Sequence, residues 1–302
     1  MGGGTMGADV AVVLLRAECK TIIVEPERER HEAIRQKIAA NLQVLGRSGN
    51  QRFLQVARSI DELDWTPVGL VIECVPEVLE IKQALFGQLA VKAPACAILA
   101  SNSSGIPISR IAEGLPTIER MVGLHFFMPA HIVPLVEVVM GPGTAKDVAD
   151  SLAVFMRRCG SVPILARKDN PGFIANRLQH ALGREAYSLI QEGTATPEDI
   201  DAAVRFGFGF RYMAAGPIMQ REHAGMDVHA AAAATIYPSL SNVSVPPPVL
   251  MDKPAQGKAG MKSGEGFYKW SEESIRAERQ RYDRVLRAGL ALLADELPEI
   301  DP

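Results

Sequence analysis

The alternation of short apolar runs with longer amphipathic stretches predicts how the chain is organised. Residues 5–17 are small or apolar and predict a helix, 21–24 (TIIV) predict a β-branched strand, and 28–45 a polar helix. Residues 69–75 (GLVIECV) and 97–100 then predict buried strands on either side of a helix over 78–89. Strands alternating with helices predict an α/β fold, a doubly wound Rossmann-type parallel sheet with helices on both faces. A short helix near 107–112, strands at 121–126 and 135–139, a helix from about 145 to 158 and a strand at 162–165 complete it. The turn Asp169-Asn170-Pro171-Gly172 closes this domain, 1–169. Beyond it, over 170–302, the apolar spacing turns helical, with Phe173, Leu178, Leu182, Tyr187 and Ile190 on one long helix, and predicts an all-helical domain. Within that domain the alanine run 230–234 reads as a tightly packed helix and the proline run 246–248 as a loop.

Composition narrows the function. The 302 residues are 47% hydrophobic and 22% charged with a formal net charge of −3, which excludes a disordered or collagenous chain and suits about two domains. A near-neutral balance gives no electrostatic reason for nucleic acid or an anionic membrane to be the partner. Cys19, Cys74, Cys96 and Cys159 stand singly, so neither a disulfide framework nor a zinc site is signalled, and His180, His223 and His229 lack ligand spacing; no metal is expected. With no apolar run of about 20 residues and no basic leader, a cytoplasmic small-molecule enzyme is the expectation.

The first candidate site is at the start. Met1-Gly2-Gly3-Gly4-Thr5-Met6-Gly7 fits G-x-G-x-x-G through Gly2, Gly4 and Gly7, and the acid Glu25 ends the next strand. The first glycine makes the tight turn, the second admits a pyrophosphate to the backbone, and the third allows close helix packing. Gly2, Gly4, Thr5, Met6 and Gly7 thus cradle phosphate at a helix N-terminus, and Glu25 accepts both ribose hydroxyls, which favours NAD over NADP; Arg28 and Arg30 nearby weaken that preference. A strand should lead into this fingerprint, and none precedes Met1. The expectation is a sheet whose first, central strand is missing from the chain, with a native start upstream and Met1 at an apolar position of that strand.

Three clusters follow: Ser101-Asn102-Ser103-Ser104; Gly123-Leu124-His125-Phe126-Phe127-Met128-Pro129; and Pro134-Leu135-Val136-Glu137-Val138 together with Asn176 in the stretch 170–177. In this order they resemble the L-3-hydroxyacyl-CoA dehydrogenase family, whose patterns run S-N-T-S-S, G-L-H-F-F-N-P, L-V-E-V and D-x-P-G-F-x-x-N-R. The resemblance covers nearly the whole chain, to the stretch 262–269 (KSGEGFYK). Oxidising a secondary alcohol by hydride transfer requires a base near neutral pKa, and histidine supplies one; His125 is the candidate, with His131 a rival that has no counterpart in the family pattern. Glu137 would fix its tautomer, and Ser104 and Asn176 would donate hydrogen bonds to the substrate oxygen. The resemblance also implies that Asn102, Glu77 and Lys82 lie around the nicotinamide side of NAD, that the active site lies in the cleft between domains, and that the protein is a homodimer built through the helical domain.

The resemblance points to interconversion of an L-3-hydroxyacyl-CoA and its 3-keto form. Three departures bear on the substrate. Met128 stands where the family carries Asn, Val133-Pro134-Leu135-Val136-Glu137 is closer to the related gulonate and carnitine dehydrogenases, and the segment between Glu25 and Glu73, which in acyl-CoA members holds a long basic helical hairpin, looks short. A dehydrogenase of free 3-hydroxy acids is therefore the alternative. Two other classes are an S-adenosylmethionine methyltransferase, which shares the glycine loop but has no need of His125 and Glu137, and a non-catalytic NAD-binding protein.

Overall fold

The computed structural model of the chain describes residues 1–301. They form two compact units, one of Met1–Arg177 together with 290–301, the other of Leu178–Gly289.

In the first unit, helix α1 (Thr5–Arg16) starts as the glycine run ends, with Gly4 at its N-cap, and is buried along most of its length. Strand β1 (Thr21–Val24) leads to α2 (His31–Val44), which buries Ile34, Ile38 and Leu42 at the i, i+4, i+8 spacing of one helical face. Next come β2 (Leu54–Ala57), β3 (Leu70–Glu73), α3 (Leu79–Lys92), β4 (Ile98–Ser101), α4 (Ile108–Ile111) and β5 (Met121–Phe126). Strand β6 (Leu135–Val139), α5 (Lys146–Arg158), β7 (Val162–Ala166) and α6 (Ala175–Gln191) follow.

The Rossmann-type fold is present, with two corrections to the expected parallel sheet. Strands β3-β4-β5-β6-β7 lie in that order, but β6 runs antiparallel to β5, so the sheet is mixed. The connection 127–134 is too short for the crossover that a parallel neighbour requires, and the chain turns back on itself instead. Strands β1 and β2 form a separate two-stranded parallel sheet, and β2 is an element the hydrophobic pattern did not predict: LQVA is half exposed and carries too little alternation to stand out. Between β1 and β3 lies a gap that only Met1 and Gly2 bridge among the described residues. The Met1 amine donates to Ile72 O (2.7 Å), Cys74 N donates to Met1 O (2.8 Å), and Gly2 N donates to Val24 O (2.9 Å).

The second unit is helical. After α6 come α7 (Pro197–Ala203), α8 (Gly209–Tyr212), α9 (Pro217–Ala224), α10 (Met226–Ile236), α11 (Pro248–Ala255) and α12 (Glu272–Leu292). Thr196 and Asp199 close a capping box on α7. The proline run is loop only in part, because Pro247 caps α11 and Pro248 takes its first turn, where a missing N–H costs nothing. Among the described residues no helix is long and apolar enough to cross a membrane.

Candidate active site and nucleotide site

The antiparallel pairing of β5 with β6 sets His125 directly opposite Glu137. Cross-strand partners share a face, so the register alone brings the two side chains together. His125 Nδ1 lies 2.7 Å from Glu137 Oε2, with both residues buried. A carboxylate only accepts, so Nδ1 carries the proton and Nε2 is left as the basic nitrogen. The second carboxylate oxygen, Oε1, accepts from Ile174 N (3.0 Å) and Ala175 N (2.9 Å) at the start of α6. Burial acts to raise the Glu137 pKa. The hydrogen bond from His125 and those from the two amides outweigh it and hold the carboxyl below its usual range.

This depression sets an acid limit. A carboxyl whose folded pKa lies below its unfolded value of about 4.3 contributes stability that is complete above that value and is lost as pH falls through the folded pKa. Urea midpoints measured from about pH 6 to pH 3 should therefore fall on the acid side, and Glu137→Gln should start lower and flatten that limb; an unchanged slope in the variant refutes the assignment.

Aromatic edges enclose the imidazole. Phe127 stands 4.5 Å and Phe173 5.5 Å from the His125 ring, centroid to centroid, both edge-on. Phe173 is buried in a left-handed conformation (φ 49°) in the turn that delivers Ile174 and Ala175 to Glu137. Asn176, in the first turn of α6, places Nδ2 3.4 Å from Ser104 O, and Ser104 is exposed. The structure therefore gathers His125, Glu137, Ser104 and Asn176 within the first unit. Met128 is exposed just beyond Phe127.

Asn102, Glu77 and Lys82 belong to a second, buried network. Lys82 is 1% exposed, and its ammonium reaches Glu73 Oε1 (2.8 Å) and Oε2 (3.0 Å) and Glu77 Oε2 (3.1 Å). Glu73, fully buried, also accepts from Ser101 Oγ (2.6 Å) and Val75 N (2.7 Å). Glu77 Oε1 accepts from the Ser103 hydroxyl and from the backbone of Ser104 (3.1 Å) and Gly105 (3.0 Å). Asn102 Oδ1 accepts from Phe126 N (2.9 Å), next to the dyad. In this geometry Lys82 acts through Glu77, which shapes the loop that carries Ser104.

The glycine run fits a dinucleotide. Gly2 has φ 93°, and a Cβ on Gly7 would lie 1.9 Å from Gly2 O, so both positions require glycine. A Cβ on Gly4 would meet nothing within 4 Å, which leaves open space at the N-terminus of α1 for a pyrophosphate beside Thr5 and Met6. Glu25 follows β1, accepts from Gly3 N (2.9 Å) through Oε2 and has Arg30 3.3 Å away.

Sequence reasoning missed Glu73, Phe173 and Asp9. Asp9 is a buried acid on α1 that meets Lys37 Nζ at 2.8 Å and His131 Nδ1 at 3.5 Å. Its signal was a single acid in the apolar run TMGADVAVVLL. Burial acts to raise its pKa, and His131 and Lys37 overcome this and lower it. His131, the rival base, thus lies beside Asp9 of α1.

Known proteins match this arrangement. The model of the 3-hydroxyacyl-CoA dehydrogenase NAD binding domain matches residues 1–170, and that of the 3-hydroxyacyl-CoA dehydrogenase C-terminal domain matches 172–270. The chain is 32% identical over 289 residues to 5-formyl-3-hydroxy-2-methylpyridine 4-carboxylate 5-dehydrogenase of Mesorhizobium japonicum, covering 93% of this chain and 94% of the relative. A crystal structure of 5-formyl-3-hydroxy-2-methylpyridine 4-carboxylic acid 5-dehydrogenase, described as an NAD+ dependent dismutase, aligns with a TM-score of 0.91 at 31% identity, over 97% of this chain and 96% of that one. That of (S)-3-hydroxybutyryl-CoA dehydrogenase from Ralstonia eutropha aligns with a TM-score of 0.73 at 26% identity, over 90% and 97%. With its NAD-binding domain followed by a helical domain, the chain is an oxidoreductase that belongs to the 3-hydroxyacyl-CoA dehydrogenase family.

Proposed function

We propose that this oxidoreductase acts on a small substrate bearing a free carboxylate, transferring hydride between NAD and a carbon that carries a hydroxyl or carbonyl oxygen. The dyad carries the chemistry. Bound NAD supplies the hydride acceptor. His125 Nε2 takes the hydroxyl proton as the carbonyl forms and returns it in the reverse direction, while Glu137 holds the imidazole by Nδ1 and stabilises its protonated form. The Ser104 hydroxyl and the Asn176 amide donate to the substrate oxygen, and Phe127 and Phe173 keep water from the flanks of the base.

One observation favours a free acid over a thioester. Between β1 and β2 the chain has a single α-helix, α2, followed by one 3-10 turn, Ser48–Phe53, where the acyl-CoA resemblance implies a long basic hairpin. The higher TM-score against the pyridine-carboxylate enzyme supports the same reading. The second reading, an L-3-hydroxyacyl-CoA dehydrogenase, is supported by the ordered motifs and by the family itself. NADH absorbance followed with acetoacetyl-CoA, free acetoacetate, gulonate-type acids, carnitine and an aromatic aldehyde carboxylate separates the two. Turnover of free acids or the aldehyde without the thioester is expected, and saturation by the thioester alone overturns the first reading. Phe206, Phe210, Ile218 and Tyr237, all exposed on the second unit, support a homodimer in which a second copy covers that surface. A cytoplasmic location goes with this reading.

A further inference from the structure

We propose that Lys37 on α2 sets how tightly this chain holds the diphosphate of its dinucleotide, by cancelling the charge of Asp9, a carboxylate buried in the helix on whose N-terminus that diphosphate sits. Neither residue belongs to the glycine fingerprint.

Asp9 is out of keeping with its surroundings. It is the one acid on α1, amid small and apolar residues, and it is 1% exposed. Burial by itself would favour the neutral carboxyl, yet His131 and Lys37 hold its pKa below the usual carboxylate range, so it is an anion at neutral pH. It stands four residues, about 6 Å along the axis, behind Thr5, where α1 begins. A helix N-terminus attracts anions, and a buried negative charge at that depth, poorly screened by salt, works against the attraction.

Lys37 answers that charge. Its Nζ lies 2.8 Å from Asp9 Oδ1 and donates to Thr5 O at 3.2 Å, so the ammonium is held between the carboxylate and the first residue of the helix. His131 Nδ1, at 3.5 Å from Oδ2, is beyond ordinary hydrogen-bond length. Among the described ion pairs Lys37 is therefore the one permanent cation on Asp9. The seat itself is clear: the first turn of α1 holds no acid, and a Cβ on Gly4 would meet nothing within 4 Å. Asp9 is thus the fixed negative charge that α1 brings to its own anion site, and Lys37 removes most of its effect.

A charge effect and a mechanical one differ in sign. Were the pair only a brace pinning α2 to α1, losing either residue would loosen the same contact and weaken every ligand of the site. As a compensated charge, the pair responds in opposite directions. Removal of the cation exposes the diphosphate to Asp9, removal of the anion leaves Lys37 free to attract it, and removal of both restores the balance.

The test measures dissociation constants on the whole protein, for NADH by fluorescence and for ADP and adenosine by calorimetry, with Lys37→Met, Asp9→Asn and the double variant beside the parent. Lys37→Met is expected to weaken NADH and ADP by about tenfold or more, the size given by one unit charge roughly 9 Å away at an effective dielectric of about 20. Asp9→Asn is expected to tighten both ligands, and the double variant to return within about threefold of the parent. Adenosine, which has no phosphate, should bind all four forms alike, and Lys37→Arg should keep the parent affinities. Unchanged NADH and ADP binding in Lys37→Met, weaker binding in Asp9→Asn, or an equal loss for adenosine each overturns the proposal. Should Asp9→Asn fail to fold, Lys37→Met against Lys37→Arg, compared on ADP and adenosine, decides the question. None of these readouts depends on which substrate is turned over.

Discussion

His125→Ala lowers kcat by roughly two to four orders of magnitude, the usual contribution of a general acid–base group, while NADH binding persists. The two effects separate because the residues concerned are separate. His125 sits on β5 against Glu137, whereas the phosphate cradle is at the N-terminus of α1. With His125 as the proposed base, loss of the imidazole removes the group that accepts the substrate proton and strands the Glu137 carboxylate beside a cavity, so the effect is expected on turnover. His131→Ala is the matched control: it removes an imidazole paired to Asp9 and should keep kcat within about tenfold. NADH fluorescence titration alongside steady-state rates checks both. A near-wild-type rate in His125→Ala, or a larger loss in His131→Ala, refutes the assignment of the base.

Lys82→Met costs about 3–5 kcal/mol, because it leaves the Glu73 carboxylate buried without its counter-charge. At roughly 2–4 °C per kcal/mol for a unit of this size, Tm should fall by about 10 °C. The pair itself contributes less than this figure, since desolvating both ions offsets most of their attraction. Glu73→Gln combined with Lys82→Met should accordingly recover part of the loss. The damage also reaches the site, because Lys82 holds Glu77 and Glu77 gathers the backbone of Ser104 and Gly105. A Tm within about 2 °C of the parent would show that Lys82 is not the hub of this network.

The elements that dominate the first unit were legible because their residues satisfy local rules. TIIV, MVGLHF and LVEVV are β-branched or apolar apart from Gly123, His125 and Glu137, and β1, β5 and β6 fall where those runs do. Strand β2 was not legible: Leu54–Ala57 is held by pairing with β1 rather than by its own composition. Strand direction was equally hidden, since nothing in residues 135–139 differs between parallel and antiparallel neighbours and only the brevity of 127–134 decides it. At the site, His125 and Glu137 could be named from the chemistry they suit, but their contact depends on register. Lys82 shows the opposite limit. The family resemblance implied a place on the nicotinamide side of NAD, whereas its ion pairs with Glu73 and Glu77 appear only in three dimensions.

The hairpin that joins β5 to β6 has a consequence for how such a protein can change over time. Four paired positions, Gly123 with Val139 through Phe126 with Val136, fix which residues face each other, and a slip of one would turn both members of the dyad to the wrong side. The connecting loop is anchored by buried Ala130 and Ile132, but its exposed position 128 can exchange an amide for the thioether of Met128 without moving the paired residues. An exposed position can thereby vary between relatives while the pairing of His125 with Glu137 is kept, and one scaffold can carry the same pair into enzymes with unrelated diets.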